Sequence, residues 1–429
     1  PTSFFAHYGA HVRILEEVWA LQGLGHRITI VTYGSGNNVP GVDIRRAAFT
    51  GHREVSIGSS KRKMLYDPML FLRTLRAAWA MRPDVIHAHL HEGALIGRLT
   101  RSLYPARHVP VIFDYQGSLS AEMVDHRFIR ANGRFYKPFR ALEQVIDRMA
   151  DAIIASSHNA AAQLRTEHHV NPARIFTIAD GVDVHRFAPP STAEQRAKVD
   201  ALRAELGIPA GRRVIVYLGK LAPYQGTDLL LEAARLLLPS HPDSHFLIMG
   251  YPGADDYRRL ADYLGIGDHV TISGRIPYDE APDYLALGEI AVAPKLSTTE
   301  GAGKIANYMA MALPTVCFDT PTSREFLAEL GYYAVRGSAP SLADCLSEAL
   351  HTDPAALRER GLALRQRAMV ERSWSAIARN IVSVYDQARA GDFTMRRSLT
   401  TTLPNACSAT ISHPTPPFFA CQPLRVLLY

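Results

Sequence analysis

Two doubly wound α/β domains facing across a cleft are what this 429-residue sequence predicts. Three observations carry that expectation. Short apolar runs rich in Val and Ile recur along the chain. Segments of helical periodicity separate them. The alternation also stops at one polar, proline-marked stretch and then begins again. Runs of this kind fit parallel strands buried on both faces, and their alternation with helices fits crossover-connected parallel sheets.

In the first half the runs are 27–33 (RITIVTY), 84–88 (DVIHA), 109–113 (VPVIF) and 151–156 (DAIIAS). Helical spacing of apolar residues marks 11–22, 68–81 and 137–149. The second set of strands is 213–218 (RVIVYL), 245–249, 270–273, 290–293 and 315–318. The break lies within 188–198, where Pro189-Pro190 and polar residues interrupt the pattern. This gives expected domains at 1–188 and 189–370. Ligands of such folds bind beyond the carboxyl ends of the strands.

Residues 395–423 contain no Asp or Glu and are rich in Ser, Thr and Pro. The expectation is a linker over 391–423, without a fixed fold. The chain then closes on 423–429 (PLRVLLY), a strand-like run with no partner nearby in sequence. At the other end, the first helix has no strand before it. Joined end to end, 423–429 and the first residues make a complete strand–loop–helix unit. The chain is therefore expected to be circularly permuted, with 424–429 serving as the first strand of the first sheet. Met395-Arg396-Arg397 would then be the start of an unpermuted chain, and the stretch around it a former N-terminal extension.

Composition narrows the function. Hydrophobic residues make up 47% and charged residues 21%, which argues against a disordered or fibrous chain. Cys317, Cys345, Cys407 and Cys421 form no CxxC pair and no His/Cys ligand spacing. A disulfide scaffold and a zinc module are disfavoured, and a reducing compartment fits. No apolar run approaches the roughly 18–20 residues of a spanning helix. The protein is expected in the cytoplasm, free or at the inner face of the membrane. Lys and Arg number 47 against 41 Asp and Glu, a net +6 that favours an anionic partner. Nucleic acid is the weakest such partner, since no helix-turn-helix, RNP-like strand or zinc finger is present.

Two loops have the chemistry of a diphosphate site. Gly219-Lys220 follows a strand run, and Gly226 opens the next helix. Free N–H groups and the positive end of a helix dipole favour phosphate there, and Lys220 adds a point charge. Glu300-Gly301-Ala302-Gly303-Lys304 again lies between a strand and a helix. Its small residues permit close backbone approach, Glu300 can accept sugar hydroxyls, and Lys304 can neutralise a departing diphosphate. Gly9 would let the first-domain loop approach from the opposite side. His7 and His11 flank it, and one of the two is a candidate for acceptor contact. His87, His89 and His91 alternate at a strand end and would converge on one face if the strand continued. No Asp-x-Asp motif follows a strand, so no metal is required.

These residues sit in motifs that resemble family 4 retaining glycosyltransferases, enzymes of the two-domain GT-B fold. The motifs run in order from the glycine loop at Gly9 through RPDVIHAH (82–89), ADAIIASS (150–157) and ADGVDVHRF (179–187). They continue with YLGKLAPYQGTDLLLEA (217–233), TTEGAGKIANYMAMALPTV (298–316) and FDTPTSREFL (318–327). The resemblance covers about 1–390 plus 424–429. It implies that a last helix, 371–390, returns to the first domain. It also implies that Glu300 touches a hexose of a nucleotide-diphosphate sugar while Gly301, Ala302 and Gly303 cradle the pyrophosphate. The family keeps a histidine near His89 without a metal, and places acceptor contacts near His89 and Gln116.

Three positions depart from the family pattern. Gln116 stands where a histidine is usual, Gln225 where a lysine is usual, and Asn307 where a second glutamate holds the ribose. Lys304 is expected to replace the charge that Gln225 lacks. The implied reaction is a front-face transfer of a hexose to a hydroxyl of a glycan, a lipid-linked acceptor or a small molecule. Positioning and charge on the diphosphate do the catalytic work. The alternatives are a sugar-nucleotide epimerase and a catalytically weak sugar-nucleotide-binding scaffold. Two basic stretches with large apolar neighbours suit an anionic membrane. They are Lys61-Arg62-Lys63 ahead of Met64-Leu65-Tyr66, and Arg127, Arg130, Arg134, Lys137 and Arg140 among Phe128, Phe135 and Phe139.

Overall fold

The computed structural model describes residues 2, 4–5, 9–48, 63–104, 109–125, 128–130, 133–297, 301–391, 393 and 423–429. Strands β1 (Arg27–Thr32), β2 (Asp43–Arg46), β3 (Val85–His89), β4 (Val111–Tyr115), β5 (Ala152–Ala155) and β6 (Ile175–Thr177) belong to one parallel sheet. A second parallel sheet holds β7 (Arg213–Leu218), β8 (Ser244–Met249), β9 (Val270–Gly274), β10 (Ile290–Ala293), β11 (Thr315–Phe318) and β12 (Tyr332–Ala334). The final strand, β13 (Arg425–Leu428), joins the first sheet.

The position of β13 decides how that sheet is built. The order is β2-β1-β13-β3-β4-β5-β6, so the last strand of the chain lies between β1 and β3. Val426 pairs with Ile28 on one side and Val85 on the other. Val426, Leu427 and Leu428 are fully buried. Side chains of this kind each contribute about 1.5–3 kcal/mol on burial. The register is held at the strand's start by Arg425, whose backbone N–H and guanidinium both donate to the Asp84 carboxylate. Burial alone would raise the Asp84 pKa, but Arg425 outweighs it and lowers it. At the other end the His89 N–H donates to Tyr429 O at 2.7 Å.

Helix Gly9–Gly23 and closing helix Trp374–Ala390 cover one face of this sheet. Ile14, Val18, Leu21, Ile377, Ile381, Val426 and Leu428 share that core. The closing helix reaches the first sheet after the second has been built, through Ser373, which bridges Val182. Among the described residues, no helix is long and apolar enough to cross a membrane.

Most strand runs lie where the sequence places them, with three differences. The run expected at 109–113 forms β4 two residues later, which brings Asp114 into the strand and puts Gln116 just after it. Strands β2, β6 and β12 have no counterpart among the predicted runs. Each is a three- or four-residue piece at a sheet edge, too short to show a period, and β2 and β6 are only partly buried. Helix Lys63–Met81 begins more than a turn ahead of the expected 68–81.

Candidate active site

A cavity of about 450 Å³ opens between the carboxyl ends of the two sheets. Gly9, His11 and Gln116 border it on the first-sheet side; Gly219, Lys220, Gln225, Gly301, Gly303, Lys304 and Asn307 border it on the other. Gly226, Ala302 and His89 do not line it. Glu300 and His7 lie outside the described residues.

The second-sheet wall is built from two loops that lock together. After β7 the chain passes Gly219 and Lys220 and reaches helix Thr227–Leu237 through Gly226. Gly226 has a φ of +75°, and a Cβ there would lie 1.8 Å from the Pro294 carbonyl oxygen. Only glycine fits, so Gly226 shapes the loop from below instead of touching a ligand. The second loop leads into helix Gly303–Ala310, whose start carries Lys304. The Lys304 ammonium donates to Gln225 Oε1 at 3.0 Å and to the Tyr217 hydroxyl at 3.2 Å, and lies 4.3 Å from the Tyr217 ring centre. A Cβ on Gly219 would come within 2.5 Å of Lys304 Nζ. The two predicted lysines therefore border one cavity: Lys220 comes from the loop after β7, and Lys304 reaches back across Gly219 from the neighbouring loop. Lys220 Nζ sits 5.2 Å from the Tyr224 ring centre. Lys295 donates to Gly301 O at 2.8 Å and also borders the cavity.

The first-sheet wall contains a charged network that sequence reading missed. Arg13, two residues beyond His11 on the first helix, makes two hydrogen bonds to Asp114, at 2.9 and 3.2 Å. Its remaining terminal nitrogen donates to Asp180. Burial opposes the charge on Arg13, but Asp114, Asp180 and Glu17 outweigh burial and strengthen its protonation. Burial would raise Asp114, and Arg13 with His89 and His87 instead holds it well below the usual carboxylate range. Asp180 also packs closely against the opposite loop, since a Cβ on Gly301 would meet its Oδ2 at 2.4 Å. Arg13 and Asp180 thus join helix Gly9–Gly23 to the Gly301 loop. One signal was available: Arg13, Glu16 and Glu17 are charged residues on the apolar face of a helix.

His11 is buried, bonded to Thr2 and packed against Phe4 and Phe5, with ring centres at 5.7 and 6.3 Å. His89, expected at the acceptor, is buried beneath the cavity floor. It lies 3.2 Å from Asp114 Oδ2, and its Nδ1 is 3.3 Å from the Gln116 amide nitrogen. Its place is behind Gln116, which itself faces the cavity.

The three alternating histidines divide into two groups. His87 and His89 stack with ring centres 4.7 Å apart, and with Glu17 and Asp114 form one buried cluster. The strand ends at His89, and Leu90 takes a φ of +64°, turning the chain into helix Leu90–Leu103. His91 therefore packs elsewhere, against Phe113 and Tyr115, where it meets Glu143 and Asp147.

Comparison with known proteins agrees with this architecture. A family profile described as Glycosyltransferase Family 4 matches residues 8–186, and one described as Glycosyl transferases group 1 matches 198–363. A D-inositol 3-phosphate glycosyltransferase of Thermobispora bispora is 26% identical over 409 residues, covering 89% of this chain and 90% of the relative. One from Mycolicibacterium gilvum is 30% identical over 231 residues, covering 52% of this chain and 48% of the relative. Among solved structures, sucrose-phosphate synthase from Thermosynechococcus elongatus superposes with a TM-score of 0.73 at 19% identity, covering 90% of this chain and 94% of that one. HepE from Anabaena, solved with UDP and glucose, gives 0.69 at 14% identity, covering 88% and 96%. The two profiles cover β1–β6 and β7–β12 respectively, and the chain belongs to the family 4 glycosyltransferases of the GT-B fold.

Proposed function

We propose that this glycosyltransferase moves a hexose, with retention, from a nucleotide-diphosphate sugar to a hydroxyl acceptor. One observation supports the reading most: Lys220, Lys304 and the start of helix Gly303–Ala310 border a single cavity at the carboxyl ends of both sheets. Two ammonium groups and free N–H donors suit a diphosphate that gains charge as it leaves. The donor would lie along the second-sheet wall, with Asn307 toward the ribose and Glu300 toward the hexose. The acceptor would enter from the His11 and Gln116 side and attack on the face the nucleotide leaves. The diphosphate would take the acceptor's proton, and the protein would supply alignment and charge.

Incubation with UDP-, GDP- and ADP-sugars tests this. Release of nucleotide diphosphate and a product with the donor's anomeric configuration support it. An inverted product, or nucleotide binding without release across the panel, overturns it; the latter favours the scaffold reading.

The acceptor is proposed to be presented at an anionic membrane surface on the cytoplasmic side. Phe128, Phe135, Leu142 and Val145 are exposed in the first domain, as are Arg134, Lys137 and Arg148, whereas Phe139 and Arg140 of the predicted stretch are half-buried and Arg140 pairs with Glu167. Leu72 and Trp79 are exposed on helix Lys63–Met81. Lys61, Arg62 and Arg127 of the predicted basic stretches lie outside the described residues. Basic and apolar side chains together favour an anionic leaflet. Co-sedimentation with anionic but not neutral vesicles is the expected result; equal partition to both counts against it.

The strand order is proposed to reflect a circular permutation, a reading supported by the two-sided pairing of β13. A rejoined chain with 423–429 placed ahead of residue 2 should keep the same thermal stability; loss of folding counts against it.

A further inference from the structure

We propose that His91, Glu143 and Asp147 form a structural site for a first-row divalent cation of the zinc type, beneath the acceptor side of the cavity. This site is separate from the donor loops and does not depend on the transferase reading.

The three residues come from two helices, Leu90–Leu103 and Tyr136–Asp147. His91 is 4% exposed, and Glu143 and Asp147 are fully buried. Each points one atom at the others. His91 Nε2, Glu143 Oε1 and Asp147 Oδ1 are all out of contact with solvent, and they meet only one another. They lie within 4.8 Å of one another, with His91 Nε2 at 3.2 Å from Asp147 Oδ1 and 3.8 Å from Glu143 Oε1. Zinc binds His nitrogen and carboxylate oxygen at about 2.0–2.2 Å, which puts tetrahedral ligands about 3.4 Å apart. The observed spacing brackets that value. A proton on His91 Nε2 serves Asp147 Oδ1 at 3.2 Å but not Glu143 Oε1 at 3.8 Å, whereas a cation among them would satisfy all three.

The outer groups strengthen the assignment, because each carboxylate has its other oxygen occupied by a donor. The Ser120 hydroxyl donates to Glu143 Oε2 at 2.6 Å, and His168 Nδ1 bonds Asp147 Oδ2. That division, one oxygen inward and one held from behind, is how outer partners orient metal-binding carboxylates. Phe113 and Tyr115 flank His91 with ring centres at 5.2 and 5.5 Å and make the apolar shell. His91 also borders the cavity.

The other buried cluster, Glu17, His87, His89 and Asp114, is a poorer candidate. The Arg13 guanidinium already lies 2.9 Å from Asp114 and occupies the place of a cation.

The full chain, stripped with a chelator and desalted, is titrated with Zn²⁺ alone and with Co²⁺ alone. Bound metal is measured after gel filtration, and Co²⁺ is followed by its visible absorption. One ion per chain is expected, with the absorption of a four-coordinate site. Glu143→Gln keeps the shape of the side chain and should weaken binding about tenfold or more, and Ser120→Ala about 10- to 100-fold. His91→Ala should abolish binding, while His87→Ala should leave it unchanged. The proposal is overturned if the chain retains no ion, if Glu143→Gln binds as tightly as the parent, or if His87→Ala is the variant that loses the ion. Where His91→Ala does not fold, the near-isosteric Glu143→Gln decides.

Discussion

The ammonium of Lys304 donates to Oε1 of Gln225 at 3.0 Å, so the residue that lacks the family's positive charge positions a neighbour that carries one. Gln225 approaches Lys304 from the β7 loop and Lys304 approaches from the helix at Gly303. A lysine at 225 would set two ammonium groups at this distance. The glutamine therefore belongs with Lys304, which carries the charge at this point.

Lys304→Ala should lower kcat/KM for the donor about tenfold or more, equivalent to about 1.4 kcal/mol of transition-state stabilisation. Lys220→Ala and Glu300→Gln should do the same. Gln225→Ala should act mainly through donor KM and by less, because it removes the positioning contact and leaves the charge. Steady-state kinetics with a saturating acceptor separate the two effects. A Lys304→Ala enzyme with the parent's efficiency removes Lys304 from the mechanism.

Arg13→Ala should destabilise the fold by about 3–5 kcal/mol, the usual cost of stranding a buried partner charge. Asp114 is fully buried and depends on Arg13. Replacing both, as Arg13→Met with Asp114→Leu, should cost less than Arg13→Ala alone, since the fully buried Asp114 is no longer stranded and the partner left behind, Asp180, is partly exposed. Urea unfolding of the two variants checks the order. A double variant weaker than the single one contradicts it.

Gly226→Ala should be more harmful than Gly25→Ala although both glycines have left-handed backbone, with φ of +75° and +87°. At Gly25 the space is open, leaving only the backbone penalty of about 1–2 kcal/mol. At Gly226 the new Cβ also collides with the Pro294 carbonyl. Chemical denaturation gives the stability difference, and nucleotide affinity should fall only for Gly226→Ala. Equal stability losses would show that the β7 loop moves freely away from Pro294.

Glu16 makes stability depend on pH. Burial raises its pKa from the ordinary 4.5 to about 7, against the opposing pull of Arg186. Between those values the folded chain holds a proton that the unfolded chain has released. Folding stability from this group is therefore full below about 4.5 and is lost as pH rises toward and through about 7. Arg186 lies between Glu16 and Asp279, 3.3 Å from each, and stacks near Trp19 and Tyr278. The contact joins the first helix to the second sheet's domain. Thermal unfolding from acid to neutral pH should show this slope in the parent chain and a shallower one in Glu16→Gln. Identical slopes remove Glu16 as the cause.

The sequence by itself determined the fold class, most of the strands, the two glycine loops and the need of 423–429 for a sheet partner. Those features rest on local patterning, because a strand buried on both faces must be apolar throughout and a helix must carry its apolar residues at its own period. Tertiary structure alone decided which charged groups meet. Arg13 and Asp114 are 101 residues apart, Arg13 and Asp180 are 167 apart, and no short-range period links them. The same holds for His91. Its spacing from His87 and His89 implied a shared face, but the strand ends at His89 and the turn at Leu90 carries His91 to a different pair of carboxylates. Hydrophobic periodicity records how much of a residue is buried, whereas its partner is fixed only when distant elements pack.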